Sequence, residues 1–297
     1  MIIGLLGPRG SYTEKAAKQW LAEKCRDQCG IKCDNDPENG DLSLEYCEDI
    51  QDVFSFLRAG SLDIGLVPVE NSIEGSVGIT LDMLLEHDVT IVGETVVEIE
   101  HCLLSRGRKE DIKIILSHPQ GLAQCRQFLK ENFRGVELRT TGSTSHAARL
   151  ATEFEEMAAI ASRESAQMYG LNILLSNIQD RKHNQTRFLV IVRSDCPPGI
   201  HPIRTEDNSA YKTSIIVYLD RDRPGALYDI LGDFSLRKIN LTRIESRPSK
   251  KTLGDYLFYI DLEGSTSDDI IKEAIYNIRS KVGMLKMLGS YPASGPV

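Results

Sequence analysis

The feature that most restricts this 297-residue chain is a break about two-thirds of the way along it. It reads Cys196-Pro197-Pro198-Gly199-Ile200-His201-Pro202, followed by the polar Thr205-Glu206-Asp207-Asn208-Ser209. A run so rich in proline, glycine and small polar residues favours neither a helix nor a paired strand, so 196–209 is read as a linker. It leaves two units, 1–195 and 210–297, each with its own pattern.

The first unit alternates strand and helix signals. Ile2-Ile3-Gly4-Leu5-Leu6 is a short apolar strand, and Ser11-Tyr12-Thr13-Glu14 offers a capping box to a helix whose Ala16, Ala17, Trp20 and Leu21 recur at helical spacing. A helix around Val53 to Leu57 leads to the buried strand Ile64 to Val69, which ends in the polar Glu70-Asn71-Ser72. The cycle repeats with Ile112 to Leu116, the loop Ser117-His118-Pro119-Gln120, and a helix carrying Gln124 one turn beyond Gln120. Val136 to Thr140 then runs into Gly142-Ser143-Thr144-Ser145, where a hydroxyl can cap the next helix. The last strand, Phe188 to Val192, follows Asn184-Gln185-Thr186-Arg187. Serial alternation predicts a largely parallel α/β architecture, with ligands bound at strand ends. The second unit reads strand, helix, strand, strand, helix, strand, the α+β ferredoxin-like order, whose open sheet face or edge is usually buried by self-association.

Composition narrows the function. With 41% hydrophobic and 26% charged residues the chain is of ordinary globular type, and its net charge of −8 argues against nucleic acid as the main partner. No stretch is apolar for long enough to span a bilayer, and the N-terminus has no basic leader, so a cytoplasmic location and no membrane partner are expected. Cys25, Cys29 and Cys33 lack a standard zinc spacing and Gly30 interrupts them, so they are read as ordinary thiols and no metal site is expected. No phosphate loop or nicotinamide fingerprint appears, so no cofactor is expected.

Several motifs then occur in a fixed order. They are Gly7-Pro8-Arg9-Gly10-Ser11-Tyr12, Val67-Pro68-Val69-Glu70-Asn71-Ser72-Ile73-Glu74-Gly75, Ser117-His118-Pro119-Gln120 with Gln124-Cys125, Ser143-Thr144 with Ala147-Ala148, and Thr186-Arg187-Phe188. In this order they resemble the prephenate dehydratases. The second unit resembles the ACT regulatory domain of those enzymes through Gly225-Ala226-Leu227 and Glu245-Ser246-Arg247-Pro248, so the likeness spans essentially the whole chain. Ser11 stands where the family usually has threonine, which keeps a hydroxyl, and Tyr228 stands where valine is frequent.

The resemblance implies a carbon–oxygen lyase that turns prephenate into phenylpyruvate, water and CO2 in phenylalanine biosynthesis. It also implies a two-lobed catalytic domain of periplasmic-binding-protein type II, with lobe one from 1–79 and 177–195, lobe two from 80–176, and the site in the cleft between them. Thr186 is then the residue that protonates the departing hydroxyl, with Arg187, Glu70 and Asn71 beside it. Ser11, Ser72, Ser117, Gln120, Gln124, Ser143 and Thr144 offer neutral donors for the two carboxylates, Arg187 is the one cation placed near them, and Phe188 is either a wall of the site or core. Neutral donors suit the task, because the ring carboxylate must be held without opposing its loss. Taken singly, several of these residues could equally be caps or turns; His118, His146 and His183 are read as structural or supporting. Phenylalanine, as effector, is expected between paired ACT units of a homodimer or homotetramer, against Gly225, Ala226, Leu227, Asn240, Leu241, Glu245, Ser246, Arg247 and Pro248. Arogenate dehydratase and a non-catalytic amino-acid sensor are the alternative readings.

Overall fold

A computed structural model describes residues 1–27, 42–195, 210–219, 224–250 and 255–294. The side chain of Cys25, all of Cys29 and Cys33, and the linker 196–209 lie outside the described residues. Three sheets organise the chain.

The first sheet runs Ser43–Cys47, Ile2–Leu6, Ile64–Asn71, Gln185–Arg193, Val89–Glu98. Its first three strands are parallel, as alternation predicts, but Gln185–Arg193 is antiparallel to both of its neighbours. The second sheet, Asn172–Leu175, Cys102–Ser105, Met157–Ala161, Ile114–Ser117, Glu137–Thr140, is likewise mixed, so the largely parallel expectation holds for only part of each sheet. The antiparallel pairings arise where the chain passes directly between sheets and returns without a crossover helix. The first crossing also falls later than expected. Val89–Glu98 pairs along its length with Gln185–Arg193, so the chain leaves the first lobe near Ile99 and not near 80.

Local signals account for the elements. Asp49 accepts from Asp52 N at 2.8 Å and Asp52 reaches back to Asp49 N, a capping box that starts the helix Ile50–Ala59. Gly60, at φ 75°, ends that helix in the left-handed region. At the first helix Ser11 accepts from Glu14 N, while the Glu14 carboxylate accepts from Gly10 N at 2.6 Å, one residue before the position a capping box would use.

The third sheet is antiparallel, in the order Leu241–Pro248, Tyr256–Glu263, Tyr211–Tyr218, Met284–Pro292, and two helices, Ala226–Leu236 and Asp269–Arg279, cover one face. Ile215, Val217, Ile230, Phe234, Ile260, Ile271 and Ile278 form the core between sheet and helices. The opposite sheet face is not left for a second copy. Its Ile216, Leu257, Tyr259, Leu288 and Tyr291 share one apolar cluster with Val53, Phe54, Leu84, Ile91, Leu189 and Ile191 of the first lobe. The backbones meet closely there: a Cβ on Gly289 would lie 2.2 Å from the Ile91 carbonyl oxygen.

Candidate functional site

Period-two alternation along Gln185–Arg193 determines what faces the cleft. Thr186 and Phe188 line a cavity of about 1170 Å³ between the first and second sheets. Phe188, 2% exposed, also belongs to the core cluster of Val190 and Val192, so it is wall and core at once. Arg187 points the other way.

Asn71, at the end of the neighbouring strand, fixes Thr186. Its Nδ2 donates to Thr186 Oγ1 at 2.9 Å and to Asn184 Oδ1 at 2.7 Å, while its Oδ1 accepts from the backbone N of Ile73 and of Glu74, both at 3.0 Å. All four of its hydrogen-bonding positions are used, so the amide cannot rotate without loss. Asn184 is buried because His183, at φ 66°, turns the chain sharply before the strand. Its Nδ2 donates to Gln124 Oε1 at 2.8 Å, and the same oxygen lies 2.9 Å from His101 Nε2. Burial pushes the His101 imidazolium down from its usual range against the Gln124 bond, so the ring is neutral and donates from Nε2. Tyr12 Oη lies 3.4 Å from His101 Nδ1 and donates to the Glu100 carbonyl at 2.5 Å; burial raises its phenol well above the ordinary value.

The result is a chain of neutral groups from Thr186 to Tyr12. Because Thr186 Oγ1 is an acceptor for Asn71 and donates to no partner among the described residues, its own proton is left for whatever occupies the cleft. Across the cavity stand Gln120, Ser143, Thr144, His118 and His146, with Ser11 at the start of the first helix. Ser143 Oγ accepts from His146 N at 3.0 Å and so caps its helix while lining the cleft. The cationic groups on the lining are Arg9 and Arg149. Burial, helped by Glu14 and opposed by Arg9, pushes the Tyr46 phenol up to about 12.

Four predicted site residues are elsewhere. Arg187 donates from Nε to Glu94 at 2.6 Å, from one terminal nitrogen to Asp261 at 2.6 Å, and from the other to Tyr291 Oη at 2.9 Å, all on the side facing the C-terminal sheet. Glu70 lies on that same side, 3.9 Å from Arg187 and 3.7 Å from Arg243. Ser117 is fully buried and donates to the Ile160 carbonyl at 2.7 Å, since it is the last residue of a central strand and points into the sheet packing. Ser72 accepts from Gln185 N at 2.9 Å and donates to the His183 carbonyl, tying down the turn before Thr186. Conversely, Asn184, His101, Tyr12, Arg9 and Arg149 were not among the predicted residues. Asn184 sits two residues before Thr186 in the same motif; His101 carries no local signal, being brought in by the strand that leaves the first lobe.

The effector candidates divide similarly. Gly225, at φ 85°, starts the helix that carries Ala226 and Leu227, and Asn240 donates to Glu263 at 2.9 Å. On the edge strand Leu241–Pro248, Ser246 and Pro248 are exposed. Glu245 instead accepts from Ser76 at 2.9 Å and Arg247 donates to Asp82 at 3.1 Å, so both reach the first lobe.

A two-lobed α/β domain with an amide-lined cleft that also carries two arginines, and a ferredoxin-like unit docked behind one lobe, define the class: a small-molecule site with a built-in second domain. Comparison with known proteins is more specific. The prephenate dehydratase profile matches residues 3–196 and the ACT domain profile residues 213–279, and the chain belongs to the prephenate dehydratase family with a C-terminal ACT domain. It is 42% identical over 288 residues to the prephenate dehydratase of Methanocaldococcus jannaschii, with 96% of each chain covered. Its fold matches a prephenate dehydratase from Arthrobacter aurescens in complex with L-Phe at a TM-score of 0.81, with 33% identity over 98% of this chain and 90% of that one. A quorum-quenching acylase, GqqA, matches at 0.80 with 27% identity, covering 99% and 98%.

Proposed function

We propose that this chain converts prephenate to phenylpyruvate, CO2 and water, and that phenylalanine regulates it through the ACT domain. The observation that carries the reading is the Thr186 hydroxyl, which lines the cleft, accepts from Asn71 and donates to no partner among the described residues. In the reaction the ring C–C bond to the carboxylate breaks to release CO2, and its electron pair completes the aromatic ring as the C–O bond breaks. The departing hydroxide takes the Thr186 proton and leaves as water, and solvent returns a proton to Thr186. Aromatisation drives the step, so a positioned acid is the main catalytic need.

The lining suits a dianion. Arg9 and Arg149 can pair with carboxylate forks, the side-chain carbonyl end of the substrate being the better partner for full charge. Gln120, Ser143 and Thr144 offer neutral donors to the carboxylate that must leave, which holds it without stabilising the ground state excessively. The edge strand Leu241–Pro248 is open to a second copy, and pairing there would give the homodimer or homotetramer in which ACT units share an effector; sedimentation at several protein concentrations checks it.

A fold shared with an acylase does not fix the chemistry, so turnover has to decide. The test is a product assay on prephenate and arogenate in parallel, each with and without phenylalanine, beside Thr186→Ala. Phenylpyruvate that disappears in the variant and falls with phenylalanine supports the reading. Turnover of arogenate alone would replace prephenate as substrate, and no turnover of either would leave a sensor.

A further inference from the structure

We propose that Arg187 is the joint through which the ACT domain positions Thr186: it touches no part of the cleft, yet it is bonded to both domains one residue away from the reacting hydroxyl. The proposal rests on the dehydratase reading above.

The guanidinium uses all three of its nitrogens. Nε donates to Glu94 on the adjacent strand of its own sheet, while the two terminal nitrogens donate to Asp261 and to Tyr291 Oη, on the two strands that flank Tyr211–Tyr218 in the ACT sheet. Those two partners are locked in turn, because Ser214 donates to Asp261 Oδ1 at 2.6 Å and lies 2.6 Å from Tyr291 Oη. Glu94 is closed from the ACT side as well: Lys212 Nζ reaches its Oε1 at 2.8 Å and Ser294 N donates to the same oxygen at 3.0 Å. The Glu94 and Asp261 side chains are 0% and 9% exposed, so solvent cannot replace a lost partner. Burial opposes the Asp261 charge, and Arg187 outweighs it, holding the carboxyl below its usual range.

The backbone makes the connection to chemistry. Gln185–Arg193 is central, bonded to Ile64–Asn71 on one side and Val89–Glu98 on the other, with a register shift between Arg187 and Phe188 where Val69 is the extra residue. A bulge of this kind aims the side chains on either side of it. Thr186 opposes Asn71 in that register, so any displacement of the strand at Arg187 alters the Asn71–Thr186 hydrogen bond directly. A planar fork with three fixed partners resists small displacement, whereas a repacked ACT interface would move Asp261 and Tyr291 together.

The experiment is steady-state kinetics of Tyr291→Phe and Asp261→Asn on prephenate, with and without phenylalanine. Wild type and Lys286→Met are run beside them; the latter cuts a different interdomain contact, to the Leu85 and His87 carbonyls. Tyr291→Phe keeps the ring and removes one hydroxyl, so it folds even if the charge variant does not. A joint predicts that kcat falls by roughly 3- to 30-fold with KM nearly unchanged, and that the inhibited-to-free rate ratio moves toward one, in both variants and not in Lys286→Met. An active wild type whose two variants retain kcat and phenylalanine response, losing only thermal stability, would overturn the joint and leave a structural strut. A wild type without turnover would overturn the dehydratase reading, and the joint with it.

Discussion

One strand presents two opposite kinds of polar chemistry. On its cleft face, Thr186 stands in a network of neutral amides, an imidazole and a phenol; on the other face, Arg187 stands among carboxylates and another cation. Both networks are buried, and the difference lies in what each can do. Neutral groups orient a hydroxyl without shifting charge, which suits a site that must receive a dianion and release hydroxide. Buried ions define a geometry rigidly, because leaving one unpaired is expensive, which suits a contact that has to report the position of a separate domain.

The largest expected effect separates the faces. Thr186→Val should lower kcat by about 10²- to 10⁴-fold, the range for loss of a positioned acid, while leaving the denaturation midpoint nearly unmoved. Arg187→Met should act chiefly on stability, with only the smaller kcat loss expected when the contact that positions Thr186 is cut. It leaves Asp261 without its bonded cation in a buried interface and Glu94 with Lys212 alone, and should reduce unfolding stability by about 3–5 kcal/mol, measurable by urea denaturation. A Thr186 variant that unfolds, or an Arg187 variant as stable as wild type, would erase the distinction. Gly289→Ala comes next. Its Cβ would meet backbone at 2.2 Å, so it should separate the ACT sheet from the first lobe and cost about 1–3 kcal/mol, with altered protease susceptibility of the interface.

These faces also show where sequence reasoning reaches and where it stops. The βαββαβ unit, the strand ends and the polar clusters at Asn71, Gln124 and Thr186 are written in local pattern, because period-two and period-3.6 burial and turn chemistry are local properties. Which face a motif residue occupies is not. Thr186 and Arg187 are adjacent, and alternation alone dictates that only one can enter the cleft; choosing which required the partner strands. Ser117 and Glu70 fail for the same reason, each sitting at a strand end with its side chain on the face turned away. His101 and Arg149 reach the site from segments far apart in sequence, and nothing near them marks the meeting point, whereas Arg9 sits inside the first motif, where its neighbour Ser11 is the residue read as a donor. The late crossing at Ile99 was hidden because Val89–Glu98 is an apolar strand that either lobe could have accepted.

The smallest expected effect is a pH signature that distinguishes the two networks within one titration. His101 is buried with its imidazolium pushed below 6.5, so the folded state binds fewer protons there than the unfolded one. Stability that is complete above pH 6.5 should therefore decline as pH falls below that value toward the folded titration point, with a slope of at most about 1.4 kcal/mol per pH unit. Asp261, opposed by burial but held down by Arg187, Ser214 and Arg243, is depressed below its ordinary 3.8, so its contribution is complete above that value and is lost only in more acid solution. Urea midpoints between pH 8 and pH 3 should thus show an early loss that His101→Gln reduces, His87 supplying the rest, and a late loss that Asp261→Asn reduces beside the other depressed carboxylates Glu14 and Asp82, because a neutral side chain at either position has no proton to gain. The order follows from what each network contains: the cleft holds one group that must stay neutral, and the joint holds one that must stay charged. Both losses shrinking in a single variant would mean that the two faces of the strand unfold as one unit and that the ACT domain has no separable contact with the site.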